Sequence, residues 1–189
     1  MVQNQSTARP AHERRSDEGT GQGSNGGVVS FRPVRPEDEA FLRQVYAGTR
    51  SDEMALVPWS EAQKEAFVDM QFAAQQQHYA AYFPAATHDV ILLDDRPIGR
   101  LYVERREHEI HIIDIVLLPQ DRNAGIGTPI IRDIMAEAAR DGKAVRIYVE
   151  AFNPSLRLFA RLGFSAIEEV NYRFLLEWHS PAPASTIKP

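Results

Sequence analysis

In the stretch LLPQDRNAGIGTPIIRDIMAEAAR, residues 117–140, a buried-strand pattern runs into two glycines and then directly into an amphipathic helix. The apolar run EIHIIDIVLLP (109–119) precedes Gly125 and Gly127; beyond them Ile130, Ile131, Ile134, Met135 and Ala138 repeat at helical spacing and trace one face. RDGK (140–143) supplies the stop, with Gly142 just past the last turn. AVRIYVE (144–150) then reads as a second strand. Two strands joined through a helix must cross over, so 109–118 and 144–150 are expected to pair in parallel. That unit restricts the chain to sheets with at least one parallel pair and a helix on one face.

The segments before it are of another kind. VVSFRPV (28–34) alternates as a strand, and Pro36 opens a helix, EDEAFLRQVYAGTR, with acids in its first turn and Arg50 at its end. SDEMALVPW reads as a loop. Ser60 and Gln63 form a capping-box pattern ahead of EAQKEAFVDMQFAAQQQHYAAYF, where Phe67, Met70, Gln71, Ala74 and His78 follow helical spacing and Pro84 ends the run. DVILLD and PIGRLYVE, joined around Asp94, Asp95 and Arg96, lead into 109–119 as an antiparallel meander. Downstream, NPSLRLFARLGF reads as a short helix with Asn153 as cap and Gly163 as stop, and NYRFLLEW as a final strand. The sum is an α+β (broadly α/β) fold, a mixed sheet with helices on its faces.

The ends differ in character. Residues 1–27 are polar and rich in Gly, Ser and Gln, too poor in apolar surface to offset the entropy of ordering, and are expected to be a disordered tail. HSPAPASTIKP (179–189) carries three prolines and is expected to be a second, flexible one. The length between them suits one domain. A net charge of −5 argues against nucleic acid as the main partner. With no cysteine there is no disulfide framework, thiol nucleophile or Cys-based zinc site, which suits a cytoplasmic location. No apolar run approaches the ~18 residues of a membrane span, and the first 28 residues lack the apolar core of a signal peptide.

The glycine junction carries the chemistry. A strand that turns at once into a helix leaves several backbone N–H groups unpaired at the positive end of the helix dipole, a place that binds phosphate. Glycine permits positive φ and close approach, Arg122 can add a charge-assisted bond, and Pro129 suits a first turn. A tight strand-to-helix turn with no ligand would use the same glycines. A P-loop needs Gly-Lys followed by Ser or Thr, whereas Gly127 is followed by Thr128 and Pro129. A dinucleotide fingerprint needs a third glycine where Ile130 stands and a place early in a repeated parallel unit.

Arg122-Asn123-Ala124-Gly125-Ile126-Gly127 resembles the Arg/Gln-x-x-Gly-x-Gly/Ala signature of the GNAT family of N-acetyltransferases, and NPSLRLFARLGF resembles its second signature, an Asn, an apolar helix and Leu-Gly-Phe. The order of elements agrees over 28–178. The resemblance implies a single GNAT-like domain whose central parallel strands splay apart, with helices on both faces, and acetyl-CoA as cosubstrate. Its pyrophosphate would lie on the backbone of Arg122, Asn123, Ala124, Gly125, Ile126, Gly127 and Thr128. Its pantetheine would pair with the backbone of Ile115, Val116 and Leu117, with Asn153 near the cleft entrance.

The same resemblance implies acetyl transfer to a primary amine, on a small molecule or a protein, and leaves a homodimer open. Such transfer needs a neutral amine, a donor for the thioester oxygen and a proton for the departing thiolate. Glu150 stands where some members carry a base, though it would equally charge the helix that follows. His111 has a suitable intrinsic pKa and would share a face with Leu117 if the strand is regular; a solvent-facing strand histidine is the plainer reading. Asp114, between HII and IVLL, needs a partner wherever it points. Phe159 stands where many members carry the tyrosine acid, and it cannot donate a proton. A non-catalytic acyl-CoA-binding module is therefore the alternative. Asp52, Glu53, Trp59, Gln71, Gln75 and His78 lie where such folds recognise acceptors.

Overall fold

The structure is a computed structural model and describes residues 21–22 and 27–181. Most of the two expected tails, 1–27 and 179–189, lies outside the described residues. The elements are β1 (Gly21–Gln22), β2 (Val28–Pro33), α1 (Glu39–Leu56), α2 (Glu61–Tyr82), β3 (Thr87–Leu93), β4 (Arg96–Arg105), β5 (Glu109–Leu117), α3 (Gly127–Asp141), β6 (Ala144–Glu150), α4 (Leu156–Arg161), β7 (Ser165–Val170) and β8 (Arg173–Trp178). They build one sheet of order β1-β2-β3-β4-β5-β6-β8-β7. The β5–β6 pair is parallel and every other pair antiparallel, as the crossover through α3 requires.

Three features depart from the sequence reading. The first helix does not stop at Arg50 but runs to Leu56, through the presumed loop. Ser, Asp and Glu there are compatible with an exposed helix, Arg50 pairs with Glu53 one turn on, and Met54 packs on the core of Leu42, Tyr46, Val68 and Phe72. Pro58 supplies the stop by holding Val57 extended at φ −91, ψ 137. In α2 the capping box is formed in both directions, but the inward face is Val68 and Phe72, with Gln75 and Tyr79 below them, leaving Met70 58% exposed. The long helix is polar on most of its circumference, so its spacing admitted two rotations. The closing strand is a hairpin: β8 sits between β6 and β7, around a turn in which Asn171 and Tyr172 both have positive φ. All six residues of β7 are exposed, so SAIEEV carries no buried alternation to read.

The sheet has two unlike faces. On one, α3 and α4 cover an apolar core that includes Ile98, Leu101, Val103, Ile110, Ile112, Val145, Ile147, Val149 and Phe159. On the other, α1 and α2 cover polar groups, among them Arg100 and Tyr102. Gly142, left-handed at φ 66, closes α3 as expected, with Lys143 N–H donating to the Ala138 carbonyl at 2.9 Å.

β5 is not regular. Tyr102 pairs with Asp114 but Val103 pairs with Ile112, so Ile113 is an extra residue, a β-bulge. An extra residue inverts the alternation beyond it. Ile110 and Ile112, and then Ile115 and Leu117, therefore all belong to the α3 face. His111 does not share a face with Leu117, contrary to expectation; it shares one with Asp114 and Val116.

Asp38, buried ahead of α1, ties that helix to β2 by accepting from Arg32 Nη1 and Nη2 at 2.7 and 2.6 Å and from the Arg35 N–H at 2.8 Å. The Arg32 hydrogen bond, helped by the Arg35 amide against the effect of burial, holds its pKa down at about 2. The depressed value means that its stabilisation is complete above the unfolded pKa of ~3.9 and is lost as pH falls towards 2. Asp38→Ala is expected to lower unfolding free energy by about 1.5–3 kcal/mol at pH 7 and to flatten the loss between pH 4 and 2. Urea titrations across that range measure both.

Candidate active site

β5 and β6 pair over Glu109–Ala144, Ile110–Val145, His111–Arg146 and Ile112–Ile147, and there the pairing ends. Above it, β5 stays with β4 as far as Gly99–Leu117, and β6 stays with β8 as far as Glu150–Arg173. Each strand follows its outer neighbour, so a gap opens between 113–117 and 148–150. It begins at the Ile113 bulge, which bends β5 away from β6. Main-chain groups of Ile115, Val116 and Leu117 thus have no parallel partner on β6. This is the splay the resemblance implied, now with a local cause.

The glycine loop lies beyond the end of β5. Leu118 N–H donates to the Ile98 carbonyl at 2.8 Å, Pro119–Asp121 form a 3₁₀ turn, and buried Asp121 is gripped by Arg96 Nη2 and Nη1 at 2.6 and 3.2 Å. The backbone then turns through Asn123 at φ 59 and Gly125 at φ 80 into α3. Buried Ile126, Ile130 and Ile131 anchor this entry in the core. Among the described residues no side chain caps it. The N–H groups of Ile126, Gly127 and Thr128 precede the first intrahelical bond, and Pro129 contributes none. Gly125 is required by its φ. Gly127 is not: a Cβ there would meet nothing nearer than Leu158 Cδ2 at 3.9 Å. The Arg122 guanidinium donates from Nε to the Leu117 carbonyl at 2.9 Å and from Nη2 to the Gly48 carbonyl at 3.0 Å.

Asn153 stands at the turn after β6. Its N–H donates to the Glu150 carbonyl and its Oδ1 accepts from Ser155 N–H, both at 2.9 Å, so it caps the turn that leads into α4 rather than the helix itself. Phe159 is 2% exposed, edge-on to Phe164 with ring centroids 5.2 Å apart, in the same core as Val149.

The three candidate bases share the α1/α2 side and differ in setting. Glu150 is exposed at the end of β6, opposite Arg173. His111 is buried at the apex of the split, with the rings of Phe83 and Tyr148 at 5.8 and 6.1 Å and its Nδ1 without a hydrogen-bond partner among the described residues. Burial pushes its pKa below the ordinary value, and Arg106 adds to this. Asp114, next to the bulge, accepts from Arg100 Nε at 2.9 Å and Nη2 at 2.5 Å. Arg100 is 1% exposed and also donates to Gln75 Oε1 at 2.6 Å. The partner that Asp114 needed is a cation the sequence reading passed over, although PIGRLYVE shows an arginine inside an apolar strand. Tyr148 and Phe83 also went unread, because nothing in sequence joins the end of α2 to β6. Among the described residues no group of His, Asp and Glu could hold a metal ion, and no helix is long and apolar enough to cross a membrane.

Removing Asp114 would leave the Arg100 cation buried beside Gln75 alone. Asp114→Ala is expected to cost about 3–5 kcal/mol, and a denaturation midpoint close to the parent's would show that Arg100 does not depend on it.

Comparison with known proteins agrees with this architecture. The profile of the acetyltransferase (GNAT) family matches residues 43–164. Among solved structures, the chain is similar to the PaiA N-acetyltransferase of Thermoplasma acidophilum in complex with coenzyme A, at TM-score 0.62 and 15% identity over 80% of this chain and 99% of that one. It is also similar to the GNAT domain of S. lividans PAT, at TM-score 0.60 and 16% identity over 89% and 100% of the two chains. A GNAT family acetyltransferase from Elizabethkingia anophelis with acetyl-CoA bound matches at TM-score 0.53 and 13% identity over 80% and 98%. With the profile spanning well over half its length, and with the split strands, the glycine loop and the uncapped helix in the family's order, the chain belongs to the GNAT family of acetyltransferases.

Proposed function

We propose that the protein transfers the acetyl group of acetyl-CoA to a primary amine, in the cytoplasm. The observation that carries this reading is the split between β5 and β6 at Ile113, which ends beside an uncapped helix N-terminus. A slender amide-bearing arm suits the edge of Ile115, Val116 and Leu117, which has no partner on β6 and where the Leu117 carbonyl is held by Arg122. A diphosphate suits the main chain of 123–128, with the N–H groups of Ile126, Gly127 and Thr128, which make no intrahelical bond, at the start of α3. Gly127, which neither φ nor crowding demands, leaves room for a bulky anion to approach. Asn153 stands at the end of β6, at the entrance. Phe159 packs behind the gap. Acetyl-CoA or CoA bound to two of the similar structures supports the same assignment.

In the reaction the amine nitrogen attacks the thioester carbonyl and a C–N bond forms. The tetrahedral intermediate collapses, the C–S bond breaks, and the thiolate leaves with the bonding pair. The nitrogen's proton goes through water to Glu150, our first choice of base because it is exposed at the open end of β6. The thiolate takes its proton from solvent, since Phe159 offers none. His111 is the second choice: burial keeps the imidazole neutral at pH 7 but also weakens it as a base. The carboxylate of Asp114 is committed to Arg100.

A second reading, a module that binds acyl-CoA without turnover, is favoured by the missing hydroxyl at Phe159. Thiol release from acetyl-CoA over a panel of primary amines separates the two. Calorimetric binding of acetyl-CoA with no release on any amine would establish the module, and binding of NAD with no affinity for CoA would overturn both.

Two variant sets extend the test. Gly127→Val is expected to melt with the parent yet lose CoA affinity, by about 1.5–3 kcal/mol for each phosphate bond displaced. Gly125→Val, at φ 80, should lose stability as well, because a β-branched residue is strained there. Glu150→Gln should lower kcat by about 10²–10⁴-fold with little change in CoA affinity. If His111→Ala is the damaging variant instead, the acid limb of kcat/KM should lie below the ordinary imidazole pKa, as protonation of the buried ring switches the base off.

A further inference from the structure

α1 carries a glycine, Gly48, in its interior, where glycine is disfavoured by about 1 kcal/mol relative to alanine. Its surroundings explain it. A Cβ at 48 would lie 3.0 and 3.2 Å from Pro119 Cδ and Cγ and 3.6 Å from Arg122 Nη2. The bare backbone lets Pro119 pack against the helix and lets Arg122 reach the Gly48 carbonyl at 3.0 Å. The same guanidinium holds the Leu117 carbonyl at 2.9 Å through Nε. Leu117 is the last residue of β5, beyond the bulge, where the strand has β4 on one side and the gap on the other. Opposite it Gly99 is equally confined, since a Cβ there would come within 2.2 Å of the Val116 carbonyl oxygen. One side chain therefore joins the glycine loop, the free end of the split strand and helix α1.

We propose that Arg122 is a positioning residue: its guanidinium holds the end of β5 at the spacing the cofactor's amide arm needs and locks α1 to the cofactor loop, and it is not a phosphate ligand. The planar fork suits this task, because it spans two carbonyl oxygens on separate elements with donors in fixed relation. A lysine ammonium keeps the charge but lacks that fork. The proposal rests on the acetyl-CoA reading and divides the work of the loop: backbone N–H groups bind the anion, and the arginine sets the strand beside them.

The test compares the parent with Arg122→Lys, Arg122→Ala and Gly48→Ala. CoA affinity is read by calorimetry, folding by thermal melting, and the tether by amide hydrogen exchange at 115–117. Arg122→Ala and Arg122→Lys are both expected to weaken CoA by about 10-fold. Both should speed exchange at 115–117 while melting cooperatively. Gly48→Ala, which changes no charge, should shift the contact by a few tenths of an ångström and weaken CoA in the same direction. Full affinity in Arg122→Lys would overturn the proposal in favour of a charge contact with phosphate. So would unchanged exchange in Arg122→Ala. A parent that binds no CoA would overturn the acetyltransferase reading instead, while the exchange data would still report whether Arg122 tethers Leu117.

Discussion

β5 is paired on both sides only as far as Ile112, and the next residue has no counterpart on β4. That mismatch makes a cleft in a sheet that would otherwise be closed. A strand bent by an extra residue cannot keep a straight parallel neighbour, so β6 goes with β8, and the main chain beyond Ile112, still paired with β4 from Asp114 on, has no partner on β6. Residues 113–117 are half-buried along this opening, where backbone groups facing away from β4 have no strand beside them. The bulge also decides which side chains look where. It puts Ile115 and Leu117 into the core under α3 and turns Asp114 towards α2.

The two faces of the sheet are stabilised by different physics. Under α3 and α4 the contacts are nearly all aliphatic and aromatic, and they hold the glycine loop by burying Ile126, Ile130 and Ile131 immediately after it. Under α1 and α2 the sheet offers Arg100, Tyr102, Glu104 and His111, and the helices answer with polar groups such as Gln75 and Tyr79. A buried cation is tolerable only with its partners in place, so the Arg100, Asp114 and Gln75 set specifies how α2 sits over the bulge more strictly than apolar contact would. The apolar side carries the glycine loop and the start of α3, and the polar side carries the three candidate bases, Glu150, His111 and Asp114. Arg122 spans the two, from the loop to α1.

Much of this was legible beforehand. The meander, the crossover, the glycine stop at Gly142, the capping box at Ser60 and the glycine loop follow from local rules of backbone conformation and periodicity, and local rules need no tertiary knowledge. The need of Asp114 for a partner was readable too, from its apolar flanks. The identity of that partner was not, since strand pairing across fourteen residues chose it. The extension of α1 to Leu56 and the rotation of α2 escaped for one reason: polar helices have no strong preferred side until something packs against them.

What the sequence by itself determined is the order of elements, the single parallel crossover and the glycine loop that turns into a helix N-terminus. Each follows from a few adjacent residues with sharply limited φ and ψ. What only the tertiary structure decided is the register. The bulge at Ile113 has no local mark, because IHIIDIVL would serve equally well as a regular strand. It exists because β4 pairs on either side of it at offsets that differ by one residue. Where the sheet opens, which face His111 occupies and what Arg122 holds all follow from that offset, and such an offset is a property of two strands together rather than of either alone.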